Sequence, residues 1–127
     1  FIYAVDADSQ FHHQCHNFLF NSSIEPFTTS KNLSEFLSVI TRGKKALSIE
    51  NALNALDDFS RFVKIIYPDY QSYILYKKLL LRYKPSGLLV HDFEIAAIAI
   101  SNNISKIATF NKSDFSKINE ITIVEVE

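Results

Sequence analysis

Apolar residues recur along much of the chain at the i, i+3, i+4, i+7 spacing of a helix with one buried face. In N-L-S-E-F-L-S-V-I-T-R, Asn32 to Arg42, residues Leu33, Phe36, Leu37 and Ile40 follow that spacing and predict an amphipathic helix, which Gly43 is placed to close. Phe11, Cys15, Phe18 and Leu19 give an earlier helix the same kind of stripe. Asp6 to Ser9 break the chain before it, with Ser9 as N-cap, and Asn21 to Ser23 end it. Ser48 and Asn51 resemble a capping box ahead of a third helix. From Asp69 the pattern is helical again, with Tyr73, Tyr76, Leu80 and Tyr83 near one stripe, and Asp92 opens a strongly apolar helix to Asn102. Between these lie runs suited to strands: Pro26 to Thr29, Val63 to Tyr67 stopped by Pro68, Lys106 to Phe110, and Ile121 to Val126. Phe1 to Val5 is apolar but too short to assign by periodicity. Strands alternating with helices predict a three-layer α/β/α domain around a mainly parallel sheet, one domain over residues 1–127 without internal repeat or low-complexity segment.

Composition narrows the class. A chain of 127 residues, 47% hydrophobic and 21% charged, is one globular domain in size and character. The longest apolar run, Ile95 to Ile100, is far short of a bilayer span. No basic region leads into an apolar stretch, so a soluble protein away from the membrane is expected. The single cysteine fits a reducing, cytoplasmic setting. Net charge is −1, which excludes a generally basic nucleic-acid-coating protein, but the charge is unevenly spread. Residues 31–84 carry ten of the thirteen bases against five acids, net +5, leaving net −6 for the flanks. That middle segment suits either solvated helix faces or a surface meeting phosphate.

The stretch H-H-Q-C-H, His12 to His16, has the look of a metal site, because His12, Cys15 and His16 share one side of a helix. A structural zinc takes four ligands, and outside this stretch His91 is the only further histidine or cysteine. The histidines are better read as the flanks of the helix whose buried stripe includes Cys15.

Carboxylates are the stronger candidates, since an α/β sheet gathers its chemistry at the carboxyl ends of its strands. Glu35 follows the Pro26 to Thr29 strand and on a helical wheel flanks Val39 rather than lying opposite the core stripe. Asp92 stands at the start of the Ile95 helix, and Asp114 follows the Lys106 to Phe110 strand. Each also has an ordinary use: Glu35 as a solvated helix residue, Asp92 as an N-cap, Asp114 as a turn former. Together they suit a hard divalent cation that prefers oxygen ligands.

The stretch G-L-L-V-H-D-F-E-I-A-A-I-A-I-S-N-N-I-S-K-I-A-T-F-N-K-S-D-F, Gly87 to Phe115, resembles the C-terminal half of a PIN domain, particularly the VapC-type ribonuclease toxins of toxin–antitoxin modules. F-I-Y-A-V-D-A-D-S with the histidines after it, and N-L-S-E-F-L-S-V-I-T-R, resemble the same family, so the likeness covers nearly the whole chain. It implies a nuclease site of four acidic positions, with Glu35 at the second, Asp92 at the third and Asp114 at the fourth. The first would lie upstream of Phe1, as would the first strand, making Phe1 to Val5 helical and the chain N-terminally truncated. Asn111 stands where many relatives carry a further aspartate.

The resemblance also implies Mg²⁺ or Mn²⁺ as cofactor, RNA as substrate, an antitoxin partner and a homodimer. A metal-activated water would attack the phosphodiester in line, with no nucleophilic side chain. Thr109 and Asn111 are candidates to hydrogen-bond the ligands or the phosphate. Arg42, Lys44, Lys45, Lys77, Lys78 and Arg82 are candidates for the RNA backbone. A catalytically silent PIN-like interaction module is the alternative; a phosphoacceptor receiver domain lacks a suitably placed lysine.

Overall fold

In the computed structural model, which describes residues 1–20 and 23–126, helices form where the apolar spacing places them. The chain divides into two units, Phe1–Ile65 and Ile66–Val126.

In the first unit Phe1 to Val5 is helical: α1 spans Ile2–Val5 and buries Ala4. Ser9 then turns the chain, its hydroxyl accepting the Phe11 N–H at 3.2 Å and its carbonyl the His12 N–H at 3.0 Å. Helix α2, His12–Phe20, buries Cys15, with Phe18 and Leu19 half-buried beside it. The expected end of this helix at Asn21 and Ser22 falls outside the described residues. Strand β1, Phe27–Thr29, leads directly into α3, Ser30–Ile40. Thr29 is the N-cap and accepts the Asn32 N–H, satisfying a donor that the helix cannot. Leu33 and Phe36 are the buried residues of α3, as the spacing requires. Gly43 beyond it takes φ +87°, a conformation that costs a side-chain-bearing residue energy and glycine little. Helix α4, Ile49–Ser60, is capped by Ser48, which accepts from Asn51 N–H. Phe59 from α4 meets Phe1 edge-on at 4.4 Å and stacks on Phe36 at 6.1 Å. Strand β2, Lys64–Ile66, pairs with β1 and is shorter than the apolar run Val63 to Tyr67; Val63, just before it, is buried in the core.

In the second unit α5 spans Tyr70–Tyr83, α6 Leu89–Ser101 and α7 Lys112–Phe115, with strands β3, Lys106–Ala108, and β4, Thr122–Val124. Asp69 and Ser72 form a reciprocal capping box at the start of α5. Leu79, Phe93, Ala96, Ala97, Phe115 and Ile118 make the core, and the two alanines let α5 and α6 approach closely. β3 and β4 pair in parallel, Ile107 opposite Ile123, and α7 sits in the crossover between them. The architecture is mixed α/β, as expected. Its described strands form two two-stranded sheets of three-residue strands, shorter than the runs that predicted them.

Two local readings are corrected. Helix α6 begins at Leu89, so Asp92 lies within its first turn and is not its cap; Leu88 holds the cap position with no side-chain bond. Tyr73 does not join the buried stripe of α5: it is 54% exposed, while Ser72, Leu75, Tyr76, Leu79 and Tyr83 turn inward. One step of the helix carries Tyr73 past the core edge, where its neighbour four residues on is Lys77.

Hydroxyls secure the inward tyrosines. Tyr83 Oη donates to Glu120 Oε2 at 2.7 Å and accepts the Asn119 N–H at 3.1 Å. Tyr76 Oη donates to the Val90 carbonyl at 3.0 Å, tying α5 to α6. Burial, and secondly the charge of Glu94, pushes the Tyr76 phenol up from its ordinary value. A proton held more tightly in the folded state gives stability that is whole below the unfolded phenol's value of about 10 and is lost as pH rises beyond it. Tyr76→Phe is expected to cost about 1 kcal/mol near neutrality. It should also flatten the alkaline decline, as urea titrations near neutral pH and above the phenol value would read out.

Candidate functional site

The histidine helix α2 does not form a metal site among the described residues. Cys15 is buried, and desolvation pushes its thiol up, away from the thiolate a metal needs. His12 Nδ1 lies 3.3 Å from the Tyr3 carbonyl. The rings of His12, His16 and Phe20 run along α2 with centroids 5.7 and 4.7 Å apart, so the imidazoles extend an aromatic ladder. Among the described residues, no three His, Cys, Asp or Glu side chains gather as a metal-holding group.

The acids have a different setting. Asp92 is half-buried in the first turn of α6, and Phe93 immediately after it is 1% exposed in the core. Asp114 is half-buried in α7, and Phe115 immediately after it is 6% exposed in that same core. Each carboxylate is thus held at the core's rim by a buried phenylalanine one residue on, and α6 packs against α7. Asp92 lies in the first turn of α6, where the N-terminal end of the dipole favours negative charge. Ser113 Oγ donates to Asp114 Oδ1 at 3.1 Å. Glu35, in the first unit, is exposed on α3, on the side away from Leu33 and Phe36. That differs from the helical-wheel expectation, because the stripe of α3 centres on Leu33 and Phe36 and leaves Glu35 across the helix.

The loop between β3 and α7 is braced by Thr109, whose hydroxyl accepts the Asn111 N–H at 3.0 Å. Asn111 holds the cap position of α7 with an exposed side chain that makes no capping bond, so its amide faces solvent beside Asp114's turn. Thr109 therefore shapes the loop first, a use that its position in T-F-N gave little sign of.

The basic candidates separate into two kinds. Lys45 pairs with Asp8, and Arg82 with Glu120, so both are engaged within the chain. Arg42 and Lys44 lie exposed in the turn after α3, and Lys77 and Lys78 on the outside of α5, with no ion pair among the described residues. At the end of α5 an open cleft of about 220 Å³ is lined by Lys84, Ser86 and Lys117 over Phe93. The Tyr83–Arg82–Glu120 network, which links α5 to the segment before β4, could not be found by spacing, since its members are 37 and 38 residues apart.

By donor chemistry the acids fit a hard divalent cation. They offer carboxylate oxygen without thiolate, and magnesium takes one or two carboxylates while keeping its waters. Asp92 and Asp114 provide that number within one unit.

The sequence model of the PIN domain matches residues 1–121. The chain belongs to the PIN domain family, whose members are typically nucleases and generally use divalent metals. No curated protein matches the sequence closely enough to count as a relative. Among solved structures it resembles VapBC-1 from nontypeable Haemophilus influenzae, with 20% identity, 98% of this chain and 90% of that one covered, and a TM-score of 0.71. VapBC2 from Rickettsia felis, bound to a promoter DNA fragment, is similar at 21% identity, with 99% and 92% covered and a TM-score of 0.73. DNA-bound VapBC from Salmonella typhimurium gives 22% identity, the same coverages and a TM-score of 0.69. These likenesses are of fold. Among the described residues, no helix is long and apolar enough to cross a membrane.

Proposed function

We propose that the chain is a metal-dependent endoribonuclease, the toxin of a toxin–antitoxin pair, with Asp92 and Asp114 as ligands of Mg²⁺ or Mn²⁺. The observation that carries this reading is the repeated arrangement of a rim carboxylate followed by a core phenylalanine, Asp92–Phe93 and Asp114–Phe115, on two helices packed together. Asp92 and Asp114 thus sit on neighbouring helices of one unit, each one residue before a side chain anchored in the core. Glu35 is the further acid that the family resemblance assigns.

When bound, the cation supplies Lewis acidity, lowering the pKa of water and offsetting charge on the phosphate. The chain's own groups then have defined tasks. Asp92 and Asp114 hold the charge in place, the exposed Asn111 amide can donate to a phosphate oxygen, and Thr109 keeps the loop carrying Asn111 in shape. No side chain need attack the phosphodiester. Lys77 and Lys78, in the same unit as the acids and in no ion pair among the described residues, offset the repulsion between acids and RNA. VapBC assemblies of the same fold support an antitoxin protein as partner, and we extend the reading to a second copy of the chain.

The test is cleavage of RNA with Mg²⁺ or Mn²⁺. Activity should vanish on EDTA addition and return when the cation is restored in excess. Cleavage that ignores EDTA would overturn the metal-dependent reading. RNA binding without cleavage under any divalent cation would favour a silent interaction module.

A further inference from the structure

The outer face of α5 exposes large side chains along one stripe. Tyr70 is 72% exposed, Tyr73 54% and Leu81 76%, and with Lys77 they fall at i, i+3, i+7 and i+11 along one side of the helix. The Lys77 ammonium lies 5.4 Å from the centre of the Tyr73 ring. Residues 70–84 contain Lys77, Lys78, Arg82 and Lys84 and no acid at all. Asp69, at the start of the helix, is tied to the Ser72 N–H at 2.7 Å, and Glu120 is occupied by Arg82 and Tyr83. The face is therefore aromatic and positive, and it runs towards the cleft that Lys84 and Lys117 line.

We infer that this face is a stacking platform for single-stranded RNA. The inference rests on the ribonuclease reading for the identity of the ligand and deepens it by stating which form of RNA is taken. Exposed tyrosine rings offer flat surfaces to unstacked bases of any identity, while lysines between them meet the phosphates. In a duplex the bases are already stacked on one another, so the rings have nothing to receive. A protein partner fits this face less well. Lysine is depleted from the centres of protein interfaces, yet Lys77 stands in the middle of the stripe. A second copy packed face to face would set Lys77 and Lys78 against their own like charges.

The test measures binding, in EDTA so that nothing is cut, by fluorescence anisotropy of labelled single-stranded RNA of about 12 nucleotides and of the matching duplex. Single strands should bind at least about tenfold more tightly than duplex. Tyr70→Ala and Tyr73→Ala should each weaken single-strand binding about tenfold, and Tyr73→Phe should bind like the parent, because stacking needs the ring and not its hydroxyl. Lys77→Gln should lower the salt slope by about 0.7. The chain has no tryptophan, so quenching of its tyrosine emission on binding gives an independent readout. All three substituted residues are exposed on α5, so helicity by circular dichroism should be unchanged.

Equal affinity for duplex, or alanine variants that bind like the parent, would overturn the platform. So would alanine variants that alter sedimentation instead of RNA binding, since the face would then belong to a protein contact. Asp92→Asn separates this outcome from the nuclease reading: it should reduce cleavage about a thousandfold while leaving single-strand affinity in EDTA within about twofold. If it cleaves normally, the assignment of the site fails and the platform still stands or falls on binding alone.

Discussion

Asp92→Asn is expected to reduce RNA cleavage by about a thousandfold at saturating Mg²⁺, equivalent to roughly 4 kcal/mol at about 1.4 kcal/mol per decade. The substitution keeps the shape and most hydrogen-bonding capacity of the side chain and removes its charge. Its effect on stability should be small by comparison. Losing a negative charge from the first turn of α6 forfeits a dipole interaction of about 0.3–1 kcal/mol. The contrast between the two magnitudes makes the variant informative: a nearly intact fold with almost no turnover points to ligand chemistry. Single-turnover cleavage and thermal unfolding of the same preparation would check it. Cleavage within a few-fold of the parent would remove Asp92 from the site.

Phe93→Ala should have the largest effect on folding. The ring is 1% exposed, packs against Tyr83 with centroids 5.5 Å apart, and belongs to the core of the second unit. Truncating a buried phenylalanine costs about 3–5 kcal/mol, because the removed atoms lose their transfer energy and a cavity remains. Against a total of about 5–15 kcal/mol for a domain of this size, that is enough to unfold a marginal protein. The expected result is a lowering of Tm by at least about 10 °C, read by circular dichroism. Cleavage should fall at temperatures where the variant is still folded, since Asp92 loses the neighbour that fixes its backbone. A loss of under about 1 kcal/mol would show that the core closes without this ring.

The helices α3, α4 and α5 were legible because each announces itself locally. Thr29 and Ser48 cap α3 and α4, Asp69 with Ser72 caps α5, and the apolar stripe of α3 follows the helical period. The strands were less so. Three residues such as Lys106–Ala108 leave little room for a pattern, and what defines them is the pairing with Thr122–Val124, a partner outside any local window. Helix α6 was placed three residues late because its cap position is Leu88, which carries no capping side chain, so the first polar residue, Asp92, drew the boundary instead. The inward or outward turn of α5's tyrosines was hidden for a related reason. Tyr73 and Tyr76 are chemically alike, and only the position of the core, built from Phe93, Phe115 and Ile118, decides which is buried. The acids could be named from the sequence; the phenylalanines that hold two of them at the core's rim could not, since Phe93 and Phe115 look like any other apolar residues until the packing is known.

The reciprocal bond between Asp69 and Ser72 bears on the order in which the chain organises itself. Starting a helix is its costly step, because several residues are fixed before the first backbone bond is gained. A box made by neighbours three residues apart offsets part of that cost without waiting for any distant segment. Helix α5 can therefore take shape early, as a template laid down before α6 exists to cover it. The alanines Ala96 and Ala97 of α6 then have a formed surface to close upon.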